Sequence, residues 1–224
     1  MDDGKAQSDS GASFSLQGVR LLAPVIPGKI ICVGKNYLDH AKELGGEVPE
    51  KPLLFFKPPS ALNHPGDPIH LPQSARVDYE GEIAVVIGKR CKDVNQADAD
   101  SVILGYTCFN DVSNREAQAW EGNWVRAKGF DTSACLGPMI ATPDELSDPI
   151  SVTTRLNGEI RQQGHTGQLA FSIPFLIETI SRIMTLERGD VIATGTPAGV
   201  GPLCSGDVVE VEVPGVGRLK NPIF

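Results

Sequence analysis

The sequence predicts a mainly β (α+β) fold on three observations: seven short apolar runs rich in β-branched residues, dense punctuation by glycine and proline, and only three stretches with helical character. The runs are Lys29–Val33, Leu53–Phe56, Ile83–Ile87, Val102–Asn110, Ile150–Leu156, Asp190–Thr194 and Val208–Val213. Each is short for a helix and suits the pleated surface that branched side chains pack on. The 17 prolines and 24 glycines among 224 residues supply turns for many strands, as a β-rich roll with long loops requires.

Helical signals are few. Asn36–Leu44 reads as a short helix inside a loop, ended by Gly45-Gly46. Ser113–Trp120 forms a second, with Asp111 just ahead of it. Ser172-Ile173-Pro174 followed by Phe175, Ile177, Ile180 and Ile183 has a capping serine, a proline in the first turn and apolar residues at helical spacing. No repeat or linker divides the chain. Met1–Ala12 is Asp/Ser/Gly-rich and unlike a signal peptide, so the expected division is a flexible tail over 1–17 and a single domain over 18–224.

A formal net charge of −8 leaves no surplus of Lys and Arg to neutralise phosphates, which argues against a nucleic-acid partner. No apolar stretch approaches the ~18 residues a membrane span needs. A cytoplasmic protein with no membrane partner is expected. The five cysteines include no CxxC pair and fit neither a disulfide framework nor a zinc knuckle; they read as reduced thiols, and most, like Cys32 between Ile31 and Val33, flank apolar residues and read as core packing.

The most informative stretch is Asp78-Tyr79-Glu80-Gly81-Glu82 running into Ile83-Ala84-Val85-Val86-Ile87. Side chains two apart on a strand share a face, so Glu80 and Glu82 point the same way. The run that follows is apolar on both faces, which puts the carboxylates at the mouth of a strand buried on both sides. Two such carboxylates repel, and one stays protonated unless a cation joins them. A third candidate, Asp111, ends the run Cys108-Phe109-Asn110-Asp111. Three carboxylates make a hard, oxygen-only site that suits Mg²⁺ or Mn²⁺. Taken alone, a Glu-x-Glu pair is more often a solvated strand face.

Four motifs occur in an order that resembles the fumarylacetoacetate hydrolase family. They are Asp78-Tyr79-Glu80-Gly81-Glu82, Phe109-Asn110-Asp111-Val112-Ser113-Asn114-Arg115, Lys128-Gly129-Phe130-Asp131 and Gly195-Thr196-Pro197-Ala198-Gly199-Val200-Gly201. The opening Val33-Gly34-Lys35-Asn36-Tyr37, with Asp39-His40 and Glu43, also matches, and the resemblance spans about 29–222. It is strongest to the compact members, which include acylpyruvate hydrolases, oxaloacetate decarboxylases and isomerases of aromatic catabolism. The resemblance implies a mixed β-roll with a few short helices and a lid loop, a single catalytic domain over 18–224, and a homodimer. It implies metal ligation by Glu80, Glu82 and Asp111, with Mg²⁺ or Mn²⁺ native and Ca²⁺ a substitute in crystals. It implies catalytic roles for His40 and Glu43, a dyad on a mobile lid, and for Lys128. Lys35, Arg115, Gln118 and Thr196 would bind substrate. Lys35 departs from the arginine common at its position, and a point charge does not reproduce a guanidinium fork.

The activity so implied is metal-dependent carbon-carbon cleavage of a short 2-oxo acid: hydrolysis of acylpyruvates, decarboxylation of oxaloacetate, or both, through a pyruvate enolate. Glu43 with His40 would activate the water and Lys128 would stabilise the charge. The alternatives are an isomerase or decarboxylase of 2-hydroxy-dienoates, of the homoprotocatechuate-pathway type, and a non-catalytic 2-oxo acid binding protein. The dyad favours hydrolysis over isomerisation, which needs no water-activating base.

Taken singly, His40 beside Asp39, Lys42 and Glu43 reads as a solvated residue, Lys128 as surface charge and Gly195–Gly201 as a tight loop. That loop lacks the ending of a P-loop. His64, His70 and His165 have no metal-ligand spacing and receive no role. Lys57 and Ser60, beside Pro58-Pro59, resemble a family segment near the pocket but read as structural or exposed.

Overall fold

The computed structural model describes residues 5–43, 45–73 and 76–224. Within the stretch expected to be a tail, β1 (Lys5–Gln7) and β2 (Ser13–Ser15) pair as an exposed antiparallel hairpin; residues 1–4 lie outside the described residues. Then come β3 (Ile30–Gly34), α1 (Leu38–Glu43), β4 (Leu53–Lys57), β5 (Leu62–Asn63), β6 (Val77–Tyr79), β7 (Gly81–Ile87) and β8 (Ile103–Asp111). The middle of the chain holds β9 (Ser113–Asn114), α2 (Arg115–Trp120), α3 (Val125–Lys128) and β10 (Ala134–Ala141). The remainder is β11 (Ser151–Leu156), β12 (Glu159–His165), α4 (Ile173–Ile183), β13 (Val191–Ala193), β14 (Gly201–Pro202), β15 (Val208–Val213) and β16 (Gly217–Pro222). All seven apolar runs are strands, and no described helix is long and apolar enough to cross a membrane.

A seven-stranded sheet in the order β4-β3-β13-β7-β8-β10-β5 forms the body of the molecule. It is mixed, because β3 runs parallel to β13 and β5 parallel to β10 while the other neighbours are antiparallel. An antiparallel sheet in the order β12-β11-β15-β16 lies against it, and β14-β6-β9 makes a small third sheet. This is the mixed, mainly β architecture that the sequence predicts.

Strand β7 is central, and its alternation sorts the core. Ile83, Val85 and Ile87 join Val152, Val209 and Val211 of the second sheet and Leu176, Ile177 and Ile180 of α4. Ala84 and Val86 point to the opposite face, among Ile30, Cys32, Phe109, Leu136 and Val191. With both faces covered, an unbroken apolar run is what the position demands. Helix α4 starts where expected: the Ser172 side chain accepts from Phe175 N, Pro174 stands in the first turn, and the apolar stripe faces the core.

The structure shifts some boundaries and adds elements. The expected helix at Ser113–Trp120 begins at Arg115, because Ser113 and Asn114 pair with Asp78 and Val77, and Asn114 then caps the helix by accepting from Ala117 N at 3.0 Å. Helix α1 occupies the later part of the expected Asn36–Leu44 helix; Leu44 itself lies outside the described residues. Strands β12 and β16 carry no apolar run. They are the two edges of the second sheet, where polar and charged residues discourage further pairing. Strand β10 was hidden by Gly137 and Pro138, which interrupt it at a register shift against β8.

At that shift the backbones of β8 and β10 come close: a Cβ on Gly105 would lie 2.2 Å from the Ala141 carbonyl oxygen. Backbone on both sides leaves little room for relief. Gly105→Ala is expected to destabilise the fold by about 1–3 kcal/mol, the usual cost of overpacking, read as a lower urea midpoint with an unchanged slope. A wild-type midpoint would show that the strands separate freely there.

Candidate active site

The strand register assembles the carboxylates. Glu80 sits between β6 and β7, and Asp111 N donates to its carbonyl oxygen at 2.9 Å, while Glu82 lies opposite Phe109. The pleat therefore puts Glu80, Glu82 and Asp111 on one face, continuous with Ala84 and Phe109. The three residues are at most 5% exposed, and one oxygen from each lies within 4.8 Å of the others.

Cations from three separate elements converge on this cluster. Lys128 Nζ, from α3, donates to Glu80 Oε2 at 2.7 Å, Asp111 Oδ2 at 2.8 Å and Ser113 Oγ at 2.6 Å. Lys57 Nζ, from β4, donates to the other Asp111 oxygen at 2.7 Å and to the Val112 carbonyl at 3.2 Å. Arg115, the first residue of α2, pairs with Glu80 Oε1 at 2.6 Å and Asp78 Oδ2 at 2.9 Å, and donates to Gln118 Oε1 at 2.8 Å. Burial opposes ionisation of Glu80, but Lys128 and Arg115 outweigh it and hold the carboxyl below its usual range. Burial likewise disfavours the Lys128 ammonium, and Asp111 and Glu80 reverse that and raise its pKa.

Glu82 has no such partner. Its one hydrogen bond from the protein is from Gly195 N at 2.8 Å, among the described residues, and burial together with the charges of Asp111 and Glu80 pushes its pKa well up. Gly195 adopts φ +102°, and a Cβ there would lie 2.9 Å from Asn36 Cβ, so glycine is required to aim this N–H. Asp78 is paired with Arg76 and Arg115, Glu80 with Arg115 and Lys128, and Asp111 with Lys57 and Lys128, whereas Glu82 has no cationic partner among the described residues. An oxygen-only donor set with one carboxylate still short of a counter-charge fits a divalent cation.

Beside the cluster opens a cavity of about 310 Å³. It is lined by nine of the ten residues singled out in the sequence: Lys35, His40, Glu80, Glu82, Asp111, Arg115, Gln118, Lys128 and Thr196. Glu43 does not line it. Its carboxylate stands behind His40, 3.2 Å from Nδ1, and also accepts from Gly199 N at 3.0 Å. His40 is 3% exposed, so it is not the solvated residue its polar neighbours suggest. Asn36 braces the approach to α1 by donating to Thr194 O and accepting from Phe171 N, both at 2.8 Å.

Three features escaped the sequence. Lys57 is fully buried on Asp111 rather than exposed beside the prolines; an ammonium ending an otherwise apolar β4 was the available signal. Phe55 and Trp124 form an aromatic wall with ring centres 5.3 Å apart, and the Phe55 ring lies 4.9 Å from Lys128 Nζ. Trp124 is in the left-handed region, φ +57°, just ahead of α3, which no local pattern announces. The third is Gln162 on β12, buried among polar neighbours.

Proteins similar to this chain in sequence and fold are known. The oxaloacetate tautomerase YisK of Bacillus subtilis is 43% identical, over 98% of this chain and 78% of that protein. The crystal structure of 5-carboxymethyl-2-hydroxymuconate delta-isomerase from Mycobacterium smegmatis is 47% identical with a TM-score of 0.91, covering 100% of this chain and 90% of that one. Maleylpyruvate hydrolase from Sphingobium sp. SYK-6, in complex with manganese(II) ion and pyruvate, is 36% identical with a TM-score of 0.84, covering 96% and 77%. Residues 29–224, which hold every carboxylate and cation of the cluster, match the model of the fumarylacetoacetate (FAA) hydrolase C-terminal domain, and the chain belongs to that family.

Proposed function

We propose that this chain is a metal-dependent enzyme that moves a proton at the carbon next to the oxo group of a short 2-oxo acid, with keto–enol tautomerisation of a four-carbon dicarboxylate such as oxaloacetate as its reaction. The observation that carries this reading is the division of the dyad: His40 lines the cavity and Glu43 stands behind it, bound to His40 and to Gly199 N. Glu43, the carboxylate expected to activate an attacking water, is not on the cavity wall, whereas the His40 imidazole is. The feature that favoured hydrolysis in the sequence therefore favours proton transfer in the structure. The tautomerase and isomerase relatives support the same reading.

Glu80, Glu82 and Asp111 would hold the metal. When bound, it supplies Lewis-acid polarisation of the 2-oxo oxygen and a counter-charge for the substrate carboxylate. Glu43 accepts from Nδ1–H of His40, which leaves Nε2 to take the proton from C3 and return a proton to oxygen, so the substrate is isomerised with no net change in atoms. Lys128, kept charged by Glu80 and Asp111, faces the cavity and stabilises negative charge that develops on the enolate. Arg115 is committed to Asp78, Glu80 and Gln118. Lys35 has no carboxylate partner among the described residues, so it is the lining cation available to the second carboxylate of a dicarboxylate.

The reading is tested by following decay of enol-oxaloacetate absorbance with Mn²⁺, Mg²⁺ or EDTA while pyruvate is measured in parallel. Metal-dependent decay without matching pyruvate is expected. Pyruvate released from an acylpyruvate or from maleylpyruvate, with no effect on the enol, would instead establish hydrolysis. His40→Asn is expected to lower kcat about 10²–10⁴-fold, the usual range for a general acid-base group, with Mn²⁺ affinity by calorimetry unchanged. Retention of kcat would remove His40 from the chemistry.

The raised pKa of Glu82 gives the site a pH signature. In the metal-free protein the proton is held more tightly folded than unfolded, so its stabilising contribution is complete below the unfolded carboxyl value and is lost as pH rises through the raised value. A metal must displace that proton. The increase in Tm on adding Mn²⁺ is therefore expected to grow as pH rises through the raised value, and Glu82→Gln should flatten the trend. An increment independent of pH in the wild type would show that Glu82 is already ionised before metal arrives.

A further inference from the structure

Gln162 belongs to β12, an edge of the second sheet, yet its side chain is 1% exposed and reaches the cavity wall of the first. Its amide oxygen accepts from Gly81 N at 3.0 Å, the residue between Glu80 and Glu82. Its NH₂ donates to Thr196 Oγ1 and to the Pro197 carbonyl, both at 2.7 Å. A backbone donor at one end and a backbone carbonyl at the other fix the orientation of the amide. The Thr196 hydroxyl in turn donates to the Gly81 carbonyl at 2.9 Å.

A hydroxyl has one proton and two lone pairs. In Thr196 the proton is committed to Gly81 O and one lone pair to Gln162, so a single lone pair is left, in a residue that lines the cavity. Turning that proton toward a ligand would leave the Gly81 carbonyl without it and place a lone pair against that oxygen, which is unfavourable in a buried site. We infer that Gln162 is a positioning residue which, with the Gly81 carbonyl, makes Thr196 an acceptor-only group, so that the ligand atom opposite Thr196 is a hydrogen-bond donor: an enol or 2-hydroxy O–H rather than a keto or carboxylate oxygen. The site thereby distinguishes the hydroxyl-bearing form of its ligand from the all-acceptor form. This inference rests on the reading of the cavity as a 2-oxo acid site and specifies which tautomer it prefers.

The test compares two small chelating anions in the presence of Mn²⁺ by calorimetry: lactate, which carries a hydroxyl donor, and oxalate, which carries none. Thr196→Val is expected to weaken lactate about tenfold, the size of one hydrogen bond, and to leave oxalate within about twofold of wild type on the same reasoning. Thr196→Ser should restore lactate binding. Gln162→Met, and Gln162→Glu as a closer match in shape that also lacks the donor, free the Thr196 hydroxyl to turn toward the ligand and should narrow the lactate-to-oxalate preference with Thr196 still in place. Equal weakening of oxalate and lactate in Thr196→Val would overturn the acceptor assignment, because it would mean that the hydroxyl donates to the ligand. A wild-type lactate-to-oxalate preference in both Gln162 variants would overturn the positioning role. Failure of the wild-type protein to bind either anion would instead overturn the proposed function, and that result is read before any substitution is made.

Discussion

Like-charge repulsion among buried carboxylates is the constraint on which the rest of this molecule depends. Glu80, Glu82 and Asp111 are brought within 4.8 Å by strand register and excluded from water by the sheet's own core. Such a cluster persists only if positive charge is delivered to it, and the fold delivers it from the edge strand β4, from α2 and from α3. These elements are short, and the helices bury little apolar surface of their own. Removing one partner of a buried ion pair costs about 3–5 kcal/mol, because the other is left uncompensated. The cluster and the elements around it are therefore mutually dependent, and the geometry of the cavity is part of the stability of the fold.

Much of the architecture was legible because the central strands are buried on both faces. Ile30–Gly34, Gly81–Ile87 and Ile103–Asp111 have no solvent side on which to place polar residues, so their sequences are apolar runs that only a covered strand needs. The edges were illegible for the complementary reason. Strands β12 and β16 hold their places by pairing with β11 and β15, and residues such as Arg161, Gln163 and Lys220 serve to keep further strands away.

The candidate site divides along the same line. Its carboxylates were found because period-two spacing and a buried run are local signals, and nine of the ten residues singled out share one cavity. The Glu80–Asp111 register itself is a long-range pairing; Asp111 came into view as the end of another apolar run, and the ordered motifs joined it to the Glu80–Glu82 pair. Lys57 reads as structural or exposed because the prolines after it are turn formers, whereas the residue before them still belongs to β4 and points into the cluster. Gln162 had no local signal, since its importance comes from a contact between two sheets that lie 81 residues apart in the chain at Gly81.

The double attachment of Glu43 has a temporal consequence. His40 and Glu43 both belong to α1, and the Glu43 carboxylate also holds the backbone of the 195–201 loop, so α1 cannot lift from that loop without carrying the imidazole away from the cavity wall. Entry of solvent on that side and loss of the aligned imidazole are then a single event. Under the proposed reaction, an enol exposed by such an opening would meet bulk water with the imidazole already withdrawn, so exchange with solvent and turnover would alternate and not compete.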